Sequence, residues 1–272
     1  MFPAITIFGY DIGTYSICAA IGIFVVVLYE YFSLRGRKDL DDLQLINTAA
    51  VAGMGAFIGA HLLFAVTKLQ ILFSAIVNFR QTFSSPISCI NTFLEIFGGM
   101  VFYGGLIGGF ITGIYYLTHL KHIHPDPILY ADAYAPAIPL FHVFGRIGCF
   151  FGGCCYGMEC KWGFVYHNAP FPEANDVTRL PIQLIEAGGN LMIFLILHKL
   201  RKKPLKKGML FTLYILMYSV MRFTLEFFRG DTFRGFLIGL STSQWISIIL
   251  FVIAVISVIR INRPSSYTGG SV

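Results

Sequence analysis

Two arginines stand where an arginine needs a reason. Arg146 lies in the run His142-Val143-Phe144-Gly145-Arg146-Ile147-Gly148-Cys149-Phe150-Phe151-Gly152-Gly153-Cys154-Cys155-Tyr156-Gly157, one cation among glycines and thiols. Glycines at this density let backbone and ligand approach closely and weaken a helix, so that backbone N–H groups become available beside a guanidinium, the outline of an anion site. Arg222 lies in Tyr218-x-x-x-Arg222-x-x-x-Glu226, where a spacing of four puts all three side chains on one helical face. Two arginines from two helices would clamp a phosphate through charge-assisted hydrogen bonds, each worth about 1.5–3 kcal/mol net. Blander arrangements stay open: Arg146 paired with a carboxylate while its glycines serve helix packing, and Arg222 neutralised by Glu226.

Other residues could join such a site. Tyr103 stands in Gly98-Gly99-Met100-Val101-Phe102-Tyr103-Gly104-Gly105-Leu106-Ile107-Gly108-Gly109, where small residues allow close helix contact and leave the phenol a free path. Pro181-Ile182-Gln183-Leu184-Ile185-Glu186 supplies an amide and a carboxylate three apart, the carboxylate a natural partner for an arginine. Cys149, Cys154, Cys155 and Cys160 suggest a metal by number, but a four-residue gap, a doublet and a second four-residue gap differ from the paired spacing of structural zinc sites. The spacing argues against a metal, leaving a disulfide on an oxidising face or inert small-residue packing.

The elements that must position these residues follow from composition. Of 272 residues 56% are hydrophobic and 12% charged, with 27 Phe and 14 Tyr, and the mean hydropathy is +0.71. A soluble domain carries about a quarter charged residues, so a soluble enzyme is excluded. Disorder and a disulfide-dense mini-protein fail on the same figures, since the aromatic residues demand burial and six Cys are few for this length. The chain reads as an all-α integral membrane protein. Apolar stretches of the length a bilayer requires fall at 12–32, 45–66, 97–117, 133–151, 184–200, 209–228 and 241–259, which predicts seven transmembrane helices. No basic residue precedes the first stretch, so it reads as a permanent helix.

With seven spans the connections alternate sides. One side collects Arg35, Arg37, Lys38, Lys121, Lys199, Arg201, Lys202, Lys203, Lys206, Lys207, Arg260 and Arg263, and the other Lys68, Arg80, Lys161, Arg179, Arg229 and Arg234. The richer side is expected to be cytoplasmic, which puts the N-terminus outside and the C-terminus in the cytoplasm. Arg146 and Arg222 remain, in or at the ends of spans, where a cation costs about 2.5–3.5 kcal/mol on translocon scales. No loop is long enough for a second soluble domain. The chain is expected to be a single polytopic domain over residues 1–272, with a small extracytoplasmic cap from about 67–94 and 156–181.

In order and position these runs resemble the bacterial prolipoprotein diacylglyceryl transferases over nearly the whole chain. The likeness rests on Tyr15, the Gly-rich run ending at Gly108, Ala135-Pro136 with Pro139, Gly145-Arg146-Ile147-Gly148 through Gly157, Gln183 with Glu186, Tyr218-Arg222-Glu226-Phe227-Phe228-Arg229, and Ser243-Gln244-x-x-Ser247. It implies a multi-pass enzyme of the bacterial inner (plasma) membrane. Such an enzyme moves the diacylglyceryl group of phosphatidylglycerol to the lipobox cysteine thiol of a prolipoprotein and releases glycerol 1-phosphate. It further implies Arg146 and Arg222 as the phosphate clamp, Glu226 orienting Arg222, Tyr103 as a catalytic hydrogen-bond donor, and Tyr15, Cys149, Gly157, Gln183, Glu186 and Tyr218 lining the substrate pocket. Phosphatidylglycerol, prolipoprotein signal peptides and membrane lipids are the implied partners. Nucleic acid, a cofactor and a metal are not expected.

The sequence departs from the family pattern where Tyr103 stands for the usual His, Cys149 for Asn, Cys154 for Glu and Phe57 for an expected Arg. Two other readings therefore stay open: a related phospholipid-dependent transferase with a different acceptor, and a non-catalytic lipid-binding protein or transporter. Against the last, the chain has no paired inverted halves.

Overall fold

The computed structural model describes residues 1–7, 10–35, 37, 40–82, 84–99, 101–119, 126–231 and 236–263. A short hairpin, β1 (Ala4–Ile7) and β2 (Tyr10–Gly13), leads into α1 (Thr14–Leu34). There follow α2 (Asp42–Thr67), α3 (Leu69–Val77), α4 (Phe79–Thr82), α5 (Pro86–Phe97) and α6 (Phe102–His119). Next come α7 (Pro127–Tyr134), α8 (Ala137–Gly152), the paired strands β3 (Glu159–Val165) and β4 (Thr178–Arg179), α9 (Ile182–Leu200) and α10 (Met209–Glu226). A second small hairpin, β5 (Phe236–Leu237) and β6 (Leu240–Ser241), precedes α11 (Thr242–Asn262).

Helices lie along each predicted apolar stretch, although 97–117 crosses from α5 to α6 and 133–151 crosses from α7 to α8. Among the described residues α1, α2, α10 and α11 are long and apolar enough to cross a membrane, and α7 with α8 makes a fifth if the pair, bent by 43°, is one span. The bend falls at Ala135-Pro136, where the proline lacks the donor a continuous helix needs. In α9 the residues Gln183, Glu186 and Asn190, all buried, dilute the apolar content. Phe24, Phe32, Phe110 and Met192 turn more than half their surface outward. Faces of that kind suit lipid, which hydrates nothing and penalises no exposed hydrocarbon.

The chain divides into two compact units, Gly36–Tyr130 and the remainder, Met1–Arg35 with Ala131–Val272. In the first, α2 packs along α6 through facing glycine pairs: a Cβ on Gly59 would collide with the Gly104 carbonyl, and one on Gly108 with the Gly55 carbonyl. Backbones this close are the small-xxx-small packing expected of Gly104 and Gly108. Asp41 caps α2, its carboxylate accepting from the Leu43 N–H at 2.9 Å.

The larger unit carries both arginines. Here α1 packs on α8, α8 on α9, α9 on α10 and α10 on α11. Gly148 permits the first contact, since a Cβ there would lie 3.2 Å from Tyr15 Cα and 3.1 Å from Cys18 Cβ. At one end Asp132, at the close of α7, accepts from the backbone N–H groups of Gly208 (2.6 Å) and Phe211 (2.8 Å) and so caps α10 from outside. Near that end Arg201 donates to Ser33 (2.6 Å) and to the Ala133 carbonyl (2.7 Å). At the other end the Met1 ammonium donates to the His167 carbonyl at 2.8 Å. There Tyr156, Tyr166, Ala169 and Ala174 form a separate small core under β3 and β4.

Candidate active site

Glu186 organises the site. It projects from the first turns of α9, its side chain 3% exposed, and meets an arginine from each neighbouring helix. Its Oε1 lies 3.0 Å from Arg146 Nη2 on α8 and its Oε2 lies 4.0 Å from Arg222 Nη1 on α10. The closer contact is short in distance but off hydrogen-bond alignment, so it acts as an ion pair. Arg222 also pairs with Glu226 one turn on, Nη2 to Oε2 at 2.7 Å, and donates to Ser243 Oγ at 3.1 Å. The Arg222–Glu226 pairing anticipated from spacing is real, and it leaves the guanidinium in contact with two further elements.

Four groups of opposite sign in pairs are formally neutral, and this is how two cations persist in apolar surroundings. Arg146 is the accessible one, with 22% of its side chain exposed against 11% for Arg222. Tyr218, one turn before Arg222, lies within hydrogen-bonding reach of Arg146. Its ring stands 5.4 Å from that of His142, which precedes Arg146 by one turn. Tyr15, 43% exposed, sits over Gly148 within electrostatic reach of Arg146 and Cys149.

The segment between α8 and α9 covers this end of the unit. The Met158 N–H donates to the Phe228 carbonyl at 2.9 Å and the Gly230 N–H to the Tyr156 carbonyl at 3.0 Å, stitching residues 156–158 to the chain leaving α10. Gly157 lies in the stitch, and a Cβ there would collide with the Leu180 carbonyl. Gln183 links this cover to α9: its Nε2 donates to the Cys154 carbonyl at 2.7 Å and its Oε1 accepts from Tyr166 at 3.0 Å. Tyr166 is fully buried, and burial pushes its phenol above the ordinary value. Arg229 is held by Asp231 through two bonds of 2.9 and 2.6 Å.

The structure thus gathers Tyr15, Arg146, Glu186, Tyr218, Arg222 and Glu226 at one place, with Gln183 and Gly157 bonded or packed into the segment that joins α8 to α9. Tyr103 falls within α6 of the other unit, and its side chain lies outside the described residues. His142 and Ser243 lie in quoted motifs but received no role from the sequence. For His142 the usable signal was its spacing of four from Arg146, the same signal that singled out Tyr218 and Arg222. All six cysteines are free thiols.

The family model for prolipoprotein diacylglyceryl transferase matches residues 3–260. The chain belongs to that family. It is 32% identical over 259 residues to the phosphatidylglycerol–prolipoprotein diacylglyceryl transferase of Clostridium tetani, covering 94% of this chain and 96% of that one. To the Clostridium perfringens transferase numbered 2 it is 31% identical, with 90% of each chain covered. To the Cupriavidus pinatubonensis transferase it is 30% identical, over 88% of this chain and 80% of that protein. The residues of the Arg–Glu–Arg arrangement all lie within the matched range.

Proposed function

We propose that this membrane protein transfers the diacylglyceryl group of phosphatidylglycerol to the lipobox cysteine thiol of a prolipoprotein, releasing glycerol 1-phosphate. The observation that carries the reading is the convergence of Arg146 and Arg222, from separate helices, on the two oxygens of Glu186. The acceptor thiolate forms a C–S bond at the glycerol carbon as the C–O bond to phosphate breaks, and negative charge grows on the departing phosphate. Arginine N–H groups aimed at that charge lower the barrier. Because the arginines and their carboxylates balance, spare N–H donors would hold the phosphate, with no help from net charge.

In this reading Arg146 and Arg222 are the clamp, Glu226 and Glu186 set their orientation, and Tyr15, Tyr218, Cys149, Gln183 and Gly157 shape the pocket. Tyr103 is assigned a hydrogen-bond donor on resemblance alone. We further propose seven membrane spans with the N-terminus outside. Supporting this, the Met1 ammonium is bonded into the cover at His167, whereas Arg201 and Lys206 lie at the other end, Lys206 donating to the Ile261 carbonyl at 3.0 Å. The basic clusters then face the cytoplasm, as the positive-inside rule requires. The single domain, the cap, the inner-membrane location and the signal-peptide partner belong to the same proposal.

A second reading keeps the lipid donor and changes the acceptor; the thiols of Cys149 and Cys154, in place of the family's amide and carboxylate, favour it. Expression in bacteria depleted of their own transferase, followed by labelled palmitate incorporation into a model lipoprotein, decides between them. Restored labelling supports the first reading. Membrane-inserted protein that leaves the lipoprotein unlabelled removes it.

A further inference from the structure

The structure assigns Cys149, Cys154 and Cys155 to a three-thiolate site for a thiophilic d¹⁰ cation, Zn²⁺ or Cu⁺. Along the chain their spacing disfavours a metal, but in the fold their sulfurs all lie within 4.8 Å of one another. A tetrahedral zinc with bonds of about 2.3 Å separates its sulfur ligands by about 3.8 Å, so each side chain need shift by no more than about 1 Å to close on an ion.

The backbone brings the thiols together by a specific route. Helix α8 ends on Gly153 in the left-handed conformation at φ 69, and the N–H groups of Gly153 and Cys154 fold back on the carbonyls of Phe150 and Cys149, each at 3.2 Å. A Cβ on Gly153 would lie 2.8 Å from Ala169 Cβ, so the turn is also closely packed. Cys155 then takes a positive φ of 56. A side chain other than glycine, Asn or Asp seldom adopts that conformation, and it persists where surrounding structure enforces it. Here the enforcement is the stitch of residues 156–158 to 228–230, which fixes the chain immediately after Cys155. Two left-handed residues, Gly153 and Cys155, thus flank Cys154 and bring the doublet of thiols back to the last turn of α8.

Three thiolates with Zn²⁺ carry one net negative charge and with Cu⁺ two, and the cations within electrostatic reach of Cys155, Arg146 and Arg229, are each also paired with a carboxylate. Cys149 is buried, while Cys154 and Cys155 are half-buried, so an ion could enter from one side. Soft thiolate ligands select Zn²⁺ and Cu⁺ over the hard cations. Three protein ligands leave a fourth position open on zinc. Cys160 is not among the clustered sulfurs; its thiol donates to the Trp162 carbonyl at 2.6 Å, and that of Cys154 makes a longer contact of 3.7 Å with the Cys149 carbonyl. The assignment rests on the three thiols, of which Cys149 is shared with the proposed pocket, and metal retention tests it without reference to transfer.

The test uses the full chain, purified in detergent under reducing conditions until thiol titration finds every cysteine reduced. It is incubated separately with Zn²⁺ and with Cu⁺, desalted, and analysed for bound metal. One ion per chain is expected for at least one cation, retained in Cys160→Ser and Cys18→Ser and lost in Cys149→Ser, Cys154→Ser and Cys155→Ser. The unmodified chain titrated with Cd²⁺ should show thiolate-to-metal charge transfer of an intensity matching three sulfurs, a measurement that needs no variant to fold. Absence of retained ion for both cations, retention undiminished in the three variants, or a Cd²⁺ spectrum lacking three-thiolate absorption would each overturn the assignment.

Discussion

Arg146 and Glu186 form a 3.0 Å ion pair in which the carboxylate is buried and the guanidinium is partly open. That asymmetry suits a cation held for a visiting anion. The carboxylate fixes one edge of the fork and leaves the other toward whatever approaches Tyr15 and Tyr218.

Replacement of Arg146 separates charge from geometry. Arg146→Ala is expected to lower diacylglyceryl transfer by about 10²–10³-fold, the cost of removing one donor from a charge-stabilising site. Arg146→Lys keeps the charge but loses the planar fork, and should recover only part of that loss. Single-turnover transfer from phosphatidylglycerol to a lipobox peptide measures both, with thermal unfolding in detergent as the check on folding.

Glu186→Gln removes the charge shared by two arginines. Breaking a buried pair by deleting one partner costs about 3–5 kcal/mol, so the variant should unfold at lower temperature and lower denaturant than the unmodified chain. Glu226→Gln leaves Arg222 within 4.0 Å of Glu186 and should lose less. Equal losses in the two variants would contradict the bridging role of Glu186.

The glycines divide by what surrounds them. A Cβ on Gly157 meets the Leu180 carbonyl, whereas one on Gly145 meets nothing within 4 Å. Gly157→Ala should therefore destabilise by about 1–3 kcal/mol, the range for overpacking. Gly145→Ala, within α8, should be neutral or stabilise by up to about 1 kcal/mol. Thermal melts of the two side by side check the contrast.

Tyr166→Phe strips one partner from Gln183 inside the cover. The amide oxygen it leaves behind should cost about 1–3 kcal/mol, seen as a lower melting temperature. Proteolysis within residues 156–181 should quicken while transfer per folded molecule stays unchanged.

The helices were legible where composition alone decides. Long, predominantly apolar runs such as 12–32, with Glu30 as its one charge, and 241–259 suit a helix in lipid, and Ser241 with Gln244 closes a reciprocal cap at the start of α11. The arginines were legible because a cation in such a run must find a partner, and the i, i+4 spacing named one of them, Glu226. The second partner, Glu186, could be offered only as a candidate, since its meeting with Arg146 and Arg222 depends on α9 lying between α8 and α10. At the cysteines, spacing gave no sign that three of the sulfurs meet. Rules for metal ligands assume a turn between pairs, while here the left-handed end of α8 returns Cys154 and Cys155 to Cys149. The layer over the site was equally opaque, because its stitch joins residues about seventy positions apart through backbone groups that every residue possesses.

That stitch ties together the two helices that carry the arginines. Helices α8 and α10 both lean on α9, and the chain just beyond each is fastened to the other by the bonds at Met158 and Gly230. Backbone bonds beyond the helix ends thus join the same two helices that Glu186 joins through side chains, so the spacing of the two guanidiniums is braced twice, at two different heights of the bundle.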